Sequence, residues 1–195
     1  RPSAPRPASN TVERFMTLQE AHGFLRKFYE IPAPGLMDER GKDLDRCRQF
    51  IEELLKHPIE KIGVVGLGLK SLPQFLALMG KEVVFNDEDR DIAELILGSA
   101  QRMNDAAKNE GWEFNIRFRS IPGKFGEIDV DRERLEPGSF DLITLIDLVG
   151  GTPSGDPKEW LLRAQILLKP EAYLLIDEDE AVQGYSSIVD HFIRV

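Results

Sequence analysis

The sequence has few of the residues that build disulfide frameworks and metal sites. It contains one cysteine, Cys47, and three histidines, His22, His57 and His191, which lie far apart without metal-ligand spacing. A single thiol excludes an internal disulfide framework and fits a reducing compartment. We therefore expect no bound metal, and the absence of a nucleophile with a neighbouring base gives no support to covalent catalysis.

Long apolar runs and clusters of basic residues are also missing. No run approaches the roughly 18 apolar residues of a membrane-spanning helix, and no secretory signal is visible, so we expect a cytoplasmic protein. The 34 acidic and 25 basic residues give a formal net charge of -9. A scattered acidic balance disfavours broad binding to nucleic acid. The sequence leaves the oligomeric state open.

The chain divides into three predicted parts. Residues 1–16 begin with a stretch rich in Pro, Ser and Ala and are expected to be a flexible leader. Residues 17–60 are expected to form two helices that pack on the core near its ligand edge, the first opening with a capping box at Thr17. Residues 61–195 are expected to form the cofactor-binding domain.

From Lys61 onward, short apolar segments alternate with amphipathic helices. The helices begin near Ser71, Asp89 and Asp156, residue types that cap helices. The alternation predicts a Rossmann-like α/β/α sandwich with a mostly parallel sheet in the order 3-2-1-4-5. The predicted strands are residues 62–65, 82–85, 114–118, 142–146 and 172–176, and residues 186–192 are expected to be helical.

Ligands of such sheets bind beyond the carboxyl ends of the strands, where the strand order reverses. The turn after the first strand is Gly66-Leu67-Gly68. Its glycines allow the backbone to approach a ligand closely, and the helix that follows offers N–H groups and the positive end of its dipole. The alternative is a plain strand–helix turn that needs glycine for its shape alone.

Acidic residues follow two other strands at the same predicted edge. Asp87 lies just after the second predicted strand, with Glu88 next to it, and a carboxylate about 20 residues past the glycines can accept hydrogen bonds from both hydroxyls of a ribose. The alternative is that Asp87 or Asp89 only caps the next helix. Asp147, followed by Leu148, would face the site from the other side, unless it is a solvated residue of a flexible loop.

Four segments together carry a family resemblance: KIGVVGLG, GKEVVFNDED, LEPGSFDLITLID and LLKPEAYLLIDED. In this order they resemble the class I S-adenosylmethionine-dependent methyltransferases over residues 61–179. The resemblance implies S-adenosylmethionine as cofactor and an unidentified small molecule or protein as methyl acceptor. It also implies that residues 66–68 line the methionine moiety, that Asp87 holds the ribose, and that Asp147 and Leu148 lie near the methyl group.

The sequence departs from the usual pattern of that family. Val64 stands where the first strand usually has an acid, Lys70 replaces a small residue of the glycine turn, and residues 120–123 lack the acid that commonly contacts adenine. Little room remains after Phe192 for the family's closing antiparallel hairpin. Two alternatives stay open: an NAD-binding, dehydrogenase-like domain, which residues 61–87 also resemble, and an inert binding module that has kept the fold.

Overall fold

The structure, a computed structural model, describes residues 13–31, 39–145, 156–176 and 192–194. The helices are α1 (Leu18–Phe28), α2 (Glu39–Leu54), α3 (Leu72–Leu78), α4 (Arg90–Asn109) and α5 (Pro157–Leu167). The strands are β1 (Lys61–Val65), β2 (Glu82–Asp87), β3 (Arg117–Pro122), β4 (Phe140–Leu145), β5 (Leu168–Ile176) and β6 (Phe192–Arg194). A single turn of 3₁₀ helix, Phe125–Glu127, follows β3.

The described strands form one sheet in the order β3-β2-β1-β4-β5-β6. The first five strands are parallel, which confirms the predicted order 3-2-1-4-5 and the Rossmann-like α/β fold. β6 pairs antiparallel with β5. The prediction of a helix reaching Phe192 is therefore wrong, because the aromatic and β-branched end of the chain suits a strand and β5 offers it an open edge. The rest of that predicted helix, residues 186–191, lies outside the described residues.

Helices cover the two faces of the sheet unequally. One face packs against α1, α2, α3 and α4, and the other packs against α5 and the 3₁₀ turn. Strands β1 and β4 are buried on both faces over most of their length, which explains their nearly continuous apolar sequence. In the described segments, no helix combines the length and apolar character that crossing a membrane requires.

The third strand lies further along the chain than predicted. The prediction of residues 114–118 is wrong, because β3 begins at Arg117. Phe114 is buried, but it packs against the ring of Phe15 at 5.1 Å between centroids and lies before the strand. β3 is an edge strand in which Arg117 and Arg119 are exposed. An edge strand needs less apolar surface than a central one, so its pattern of apolar residues gave the wrong boundaries.

Two other strand boundaries also differ from the prediction. β4 begins at Phe140 and not at Leu142. β5 begins at Leu168, directly after α5, and not at Ala172. The reason is that Leu168 pairs with Phe140 before a shift in the register between the two strands. This pairing extends both strands towards the amino edge of the sheet.

The packed part of the chain begins before Thr17. Met16 is buried and its N–H donates to the carbonyl of Leu78 at 3.0 Å. The predicted capping box at Thr17 is confirmed. Phe15 lies against Gly80, in the turn between α3 and β2. The segment just before α1 therefore packs on the same body as the helices.

Gly80 offers a test of this contact. Its φ is +85°, and a Cβ atom there would lie 2.7 Å from the Phe15 ring. Gly111 serves as a matched control, since its φ is +94° but a Cβ atom there would meet nothing within 4 Å. We expect the G111A variant to lose about 1 kcal/mol of unfolding free energy from backbone strain alone. We expect G80A to lose about 1 kcal/mol more because Phe15 must move. Urea denaturation measures both, and equal losses would contradict the Phe15 contact.

Candidate functional site

The turn after β1 is held close to the end of β2. Gly66 has φ = +83°, a backbone conformation that glycine adopts most easily. Its N–H donates to the carbonyl of Asn86 at 2.8 Å. Val65 pairs with Asn86 in the sheet. The residues that follow them in the chain, Gly66 and Asp87, are therefore neighbours along the backbones of the two strands. The structure therefore brings together two of the predicted site elements.

The residues that follow Gly66 in this turn differ in their exposure to solvent. Leu67 is half-buried and packs on the main apolar cluster, and Gly68 is buried. Lys70 is exposed. The residue that departs from the family's small-residue pattern thus extends into solvent and does not fill the turn.

The start of α3 is capped from a distant helix. Ser71 occupies the predicted N-cap position, but its backbone is already helical (φ = -92°, ψ = -4°) and its side chain makes no capping bond. Instead, Asp43 of α2 accepts the N–H of Lys70 on Oδ1 at 2.9 Å and the N–H of Ser71 on Oδ2 at 3.0 Å. Two N–H groups just before the first residue of α3 therefore already have a carboxylate partner.

The acidic residues at and after the end of β2 make different contacts. Asp89 is the N-cap of α4, and its Oδ1 accepts the N–H groups of Asp91 at 2.8 Å and Ile92 at 3.4 Å. Asp87 is 9% exposed and its Oδ1 accepts the N–H of Asp89 at 2.8 Å. Glu88 is exposed. The interpretation of Asp87 as a helix cap is therefore wrong, whereas that of Asp89 is confirmed.

Asn86 is a structural residue of the site that sequence reasoning missed. Its amide, 3% exposed, donates to the carbonyls of Ile121 at 2.8 Å and Gly123 at 2.9 Å. The N–H of Gly123 in turn donates to the carbonyl of Asp87 at 3.0 Å. A polar residue inside an apolar strand was the available signal, because buried amides need partners. These bonds fix the end of β3 beside Asp87, and the next residue, Lys124, is exposed.

Val64 fills the position where the resembling family usually has an acid. It is 3% exposed, belongs to the main apolar cluster, and pairs with Phe85 on one side and Thr144 on the other. Thr144 is 1% exposed, and its hydroxyl has no hydrogen-bond partner in the part of the chain that the structure describes. The core at this level of the sheet is therefore built without a charge.

Asp147 and Leu148 lie outside the described residues, so their predicted place near the methyl group stays a prediction. The histidines that are described have structural contacts: Nε2 of His22 lies 3.0 Å from Oδ1 of Asp45, and the ring of His57 lies 4.8 Å from that of Tyr173. Within residues 13–31, 39–145, 156–176 and 192–194, no three His, Cys, Asp or Glu side chains come together as metal ligands.

Cys47 is a core residue of α2. It is fully buried, and burial raises the pKa of its thiol well above the usual value. A thiolate is the nucleophilic form of cysteine. Burial and the raised pKa together disfavour a role for Cys47 as a nucleophile.

Comparison with known proteins gives likenesses of fold. No protein-family model matches the sequence, and no curated protein matches it. One similar solved structure is a TehB-like SAM-dependent methyltransferase from Corynebacterium glutamicum, with 15% identity, 82% of this chain and 73% of that chain covered, and a TM-score of 0.49. Another is a putative S-adenosyl-L-methionine-dependent methyltransferase from Methanococcus maripaludis, with 15% identity, coverages of 86% and 67%, and a TM-score of 0.48.

A third similar structure is a putative sarcosine dimethylglycine methyltransferase from Galdieria sulphuraria, with 19% identity, coverages of 80% and 58%, and a TM-score of 0.48. The chain thus spans 58% to 73% of the lengths of these three proteins. The site itself is defined by the geometry of this chain's own residues.

Proposed function

We propose that the protein is an S-adenosylmethionine-dependent methyltransferase that binds its cofactor at the carboxyl edge of β1 and β2. Residues 66–68 would line the methionine moiety. Asp87, with Glu88 beside it, would accept hydrogen bonds from the ribose hydroxyls. The observation that carries the proposal is the placement of Asp87: its backbone follows Asn86, which accepts the N–H of Gly66 in the left-handed turn, while the capping of α4 is done by Asp89.

The carboxylate of Asp43 favours this cofactor over NAD. A dinucleotide places its pyrophosphate against N–H groups at the start of the helix that follows the glycine turn. Here the N–H groups of Lys70 and Ser71 already donate to Asp43. A phosphate approaching them would meet a negative charge, whereas S-adenosylmethionine has no phosphate and has a positively charged sulfonium.

The described residues of the candidate site suit binding of the cofactor and its alignment with a methyl acceptor. When bound, S-adenosylmethionine supplies an activated methyl group, and its transfer can be accelerated largely by holding donor and acceptor in line. Asp87 would fix the ribose, and the turn at Gly66 would fix the amino-acid end. We therefore assign these residues positioning roles and no proton transfer.

A second candidate function is a binding module that takes up the cofactor without transferring its methyl group. The observation in its favour is Val64, which stands in the apolar core at a position where the resembling family usually has an acid. In this case the cofactor would still contact Asp87, but an added acceptor would not be methylated. The two candidates differ in turnover and not in affinity.

Parallel calorimetric titrations with S-adenosylmethionine, S-adenosylhomocysteine and NAD test the proposal. We expect S-adenosylhomocysteine to bind at least about tenfold more tightly than NAD, which corresponds to about 1.4 kcal/mol. Tighter binding of NAD would overturn the methyltransferase proposal in favour of the dehydrogenase-like alternative. Methyl-labelled S-adenosylmethionine, incubated with panels of small-molecule and protein acceptors, then separates the enzyme from the binding module.

A further inference from the structure

Ser71 joins the N-terminal helices to the glycine turn. It is 7% exposed, and its N–H donates to Asp43 of α2 at 3.0 Å. Burial raises the pKa of Tyr29, at the end of α1, and interactions with the side chains of Ser99 in α4 and of Ser71 partly offset this rise. The guanidinium of Arg40 lies over the Tyr29 ring, 5.5 Å from its centroid. Residues of α1, α2 and α4 therefore converge at the end of the turn.

Among these contacts, the two hydrogen bonds accepted by Asp43 are the strongest. Each of its carboxylate oxygens accepts one N–H, from Lys70 and from Ser71, across 27 and 28 positions of sequence. Hydrogen bonds to a charged acceptor are stronger than those between neutral groups. The turn between β1 and α3 is thus tied at its first residue to β2, through Gly66, and at its last residues to α2.

We propose that Asp43 is a positioning residue for the cofactor. Its carboxylate holds residues 66–71 in the conformation that receives the methionine moiety, so that α2 contributes to cofactor affinity without touching the cofactor. This inference rests on the function proposed above. It assigns α2 a part in binding that is transmitted through the N–H groups of Lys70 and Ser71.

The loss of affinity expected on replacing Asp43 depends on how often the ligand-free turn adopts the binding conformation. Without Asp43 the two N–H groups lose their shared acceptor, and the turn spends part of its time in other conformations. Because apparent affinity falls in proportion to the population of the competent state, we expect D43A to bind S-adenosylhomocysteine about five- to tenfold more weakly. The D43N variant keeps one acceptor oxygen, and we expect about a two- to threefold loss.

Asp45 provides the matched control. It lies on the same helix, is exposed, and contacts His22 at 3.0 Å and not the turn. We expect D45N to bind S-adenosylhomocysteine as the wild type does. Circular dichroism and thermal melting of all the variants verify that each remains folded. If D45N loses as much affinity as D43A, the effect belongs to α2 as a whole and the inference is overturned.

Hydrogen exchange separates the failure of this inference from the failure of the proposed function. In the ligand-free protein, the amides of Lys70 and Ser71 should exchange at least about tenfold faster in D43A than in the wild type, with the amides of Lys61–Val65 unchanged. Unchanged exchange, or faster exchange with full S-adenosylhomocysteine affinity, overturns the inference alone. A wild-type protein that does not bind S-adenosylhomocysteine overturns the proposed function and, with it, the role of Asp43 in affinity.

Discussion

We expect replacement of Asp87 by alanine to weaken the binding of S-adenosylhomocysteine by at least about tenfold. In the proposed site its carboxylate accepts two ribose hydroxyls, and each hydrogen bond to a charged group is worth about 1.5–3 kcal/mol. The lower end of this range already corresponds to about a tenfold loss. Calorimetric titration measures the change, and a preserved melting transition shows that the variant is folded.

Asp89 is the control for this prediction because it lies two residues away and has a different task. Its carboxylate caps α4. We expect D89A to lose about 1 kcal/mol of unfolding free energy with the loss of the cap and to keep its affinity for S-adenosylhomocysteine. If D87A bound the ligand as tightly as the wild type, Asp87 would be a structural residue. Equal losses of affinity in the two variants would show that the acids share one task.

The second large effect is expected at Asp141, the second residue of β4, which ties this strand to the amino end of β1. Its Oδ2 accepts the N–H groups of Glu60 at 2.9 Å and Lys61 at 2.8 Å, and its Oδ1 accepts the ammonium of Lys169 at 2.8 Å. Burial raises the pKa of Asp141, but the hydrogen bonds from Lys169, Lys61 and Glu60 outweigh it, so that the pKa lies below its usual value.

We expect D141A to lower the free energy of unfolding by about 2–4 kcal/mol, because two backbone N–H groups lose a charged acceptor. Lys169 is half exposed, so removing it as K169A should cost less than about 1 kcal/mol. Urea denaturation of both variants tests the difference. A K169A loss as large as that of D141A would assign the effect to the ion pair and not to the backbone bonds.

The effect of Asp141 should depend on pH in a fixed direction. Its pKa in the folded protein is lowered relative to the unfolded value of about 3.9. The stability it contributes is therefore fully present above the unfolded value and is lost as the pH falls through the folded value. We expect the difference in stability between wild type and D141A to be constant from neutral pH down to about 5 and to shrink below about 4. Denaturation midpoints across this range measure it.

The sheet could be predicted from the sequence because its central strands are buried on both faces. Burial on both faces leaves nearly continuous apolar segments, and their alternation with helices indicates a parallel sheet with right-handed crossovers. The same reasoning gave wrong boundaries for β3, which lies at an edge of the sheet. Arg117 and Arg119 alternate with half-buried residues in β3, while the apolar Phe114 packs outside the strand.

The position of the candidate site residues in the fold could be predicted from the sequence, but their contacts could be predicted only in part. Local sequence places Gly66 and Asp87 at neighbouring strand ends, but the three acids that follow β2 look alike until the backbone shows that Asp89 is the cap. Asp43 could not be predicted as the cap of α3, because the bond joins residues far apart in sequence and Ser71 offered a local candidate. The roles of Asp147 and Leu148 stay predictions.

The central place of β1 has a consequence for synthesis on the ribosome. β2 follows β1 closely in the chain, but β4, the other neighbour of β1, comes much later: its Asp141 lies 80 positions after Lys61. Until β4 emerges, the backbone groups of β1 on that side have no strand partner, and an unpaired strand edge is prone to associate with other chains. The growing chain is therefore most vulnerable to aggregation between the emergence of β2 and that of β4.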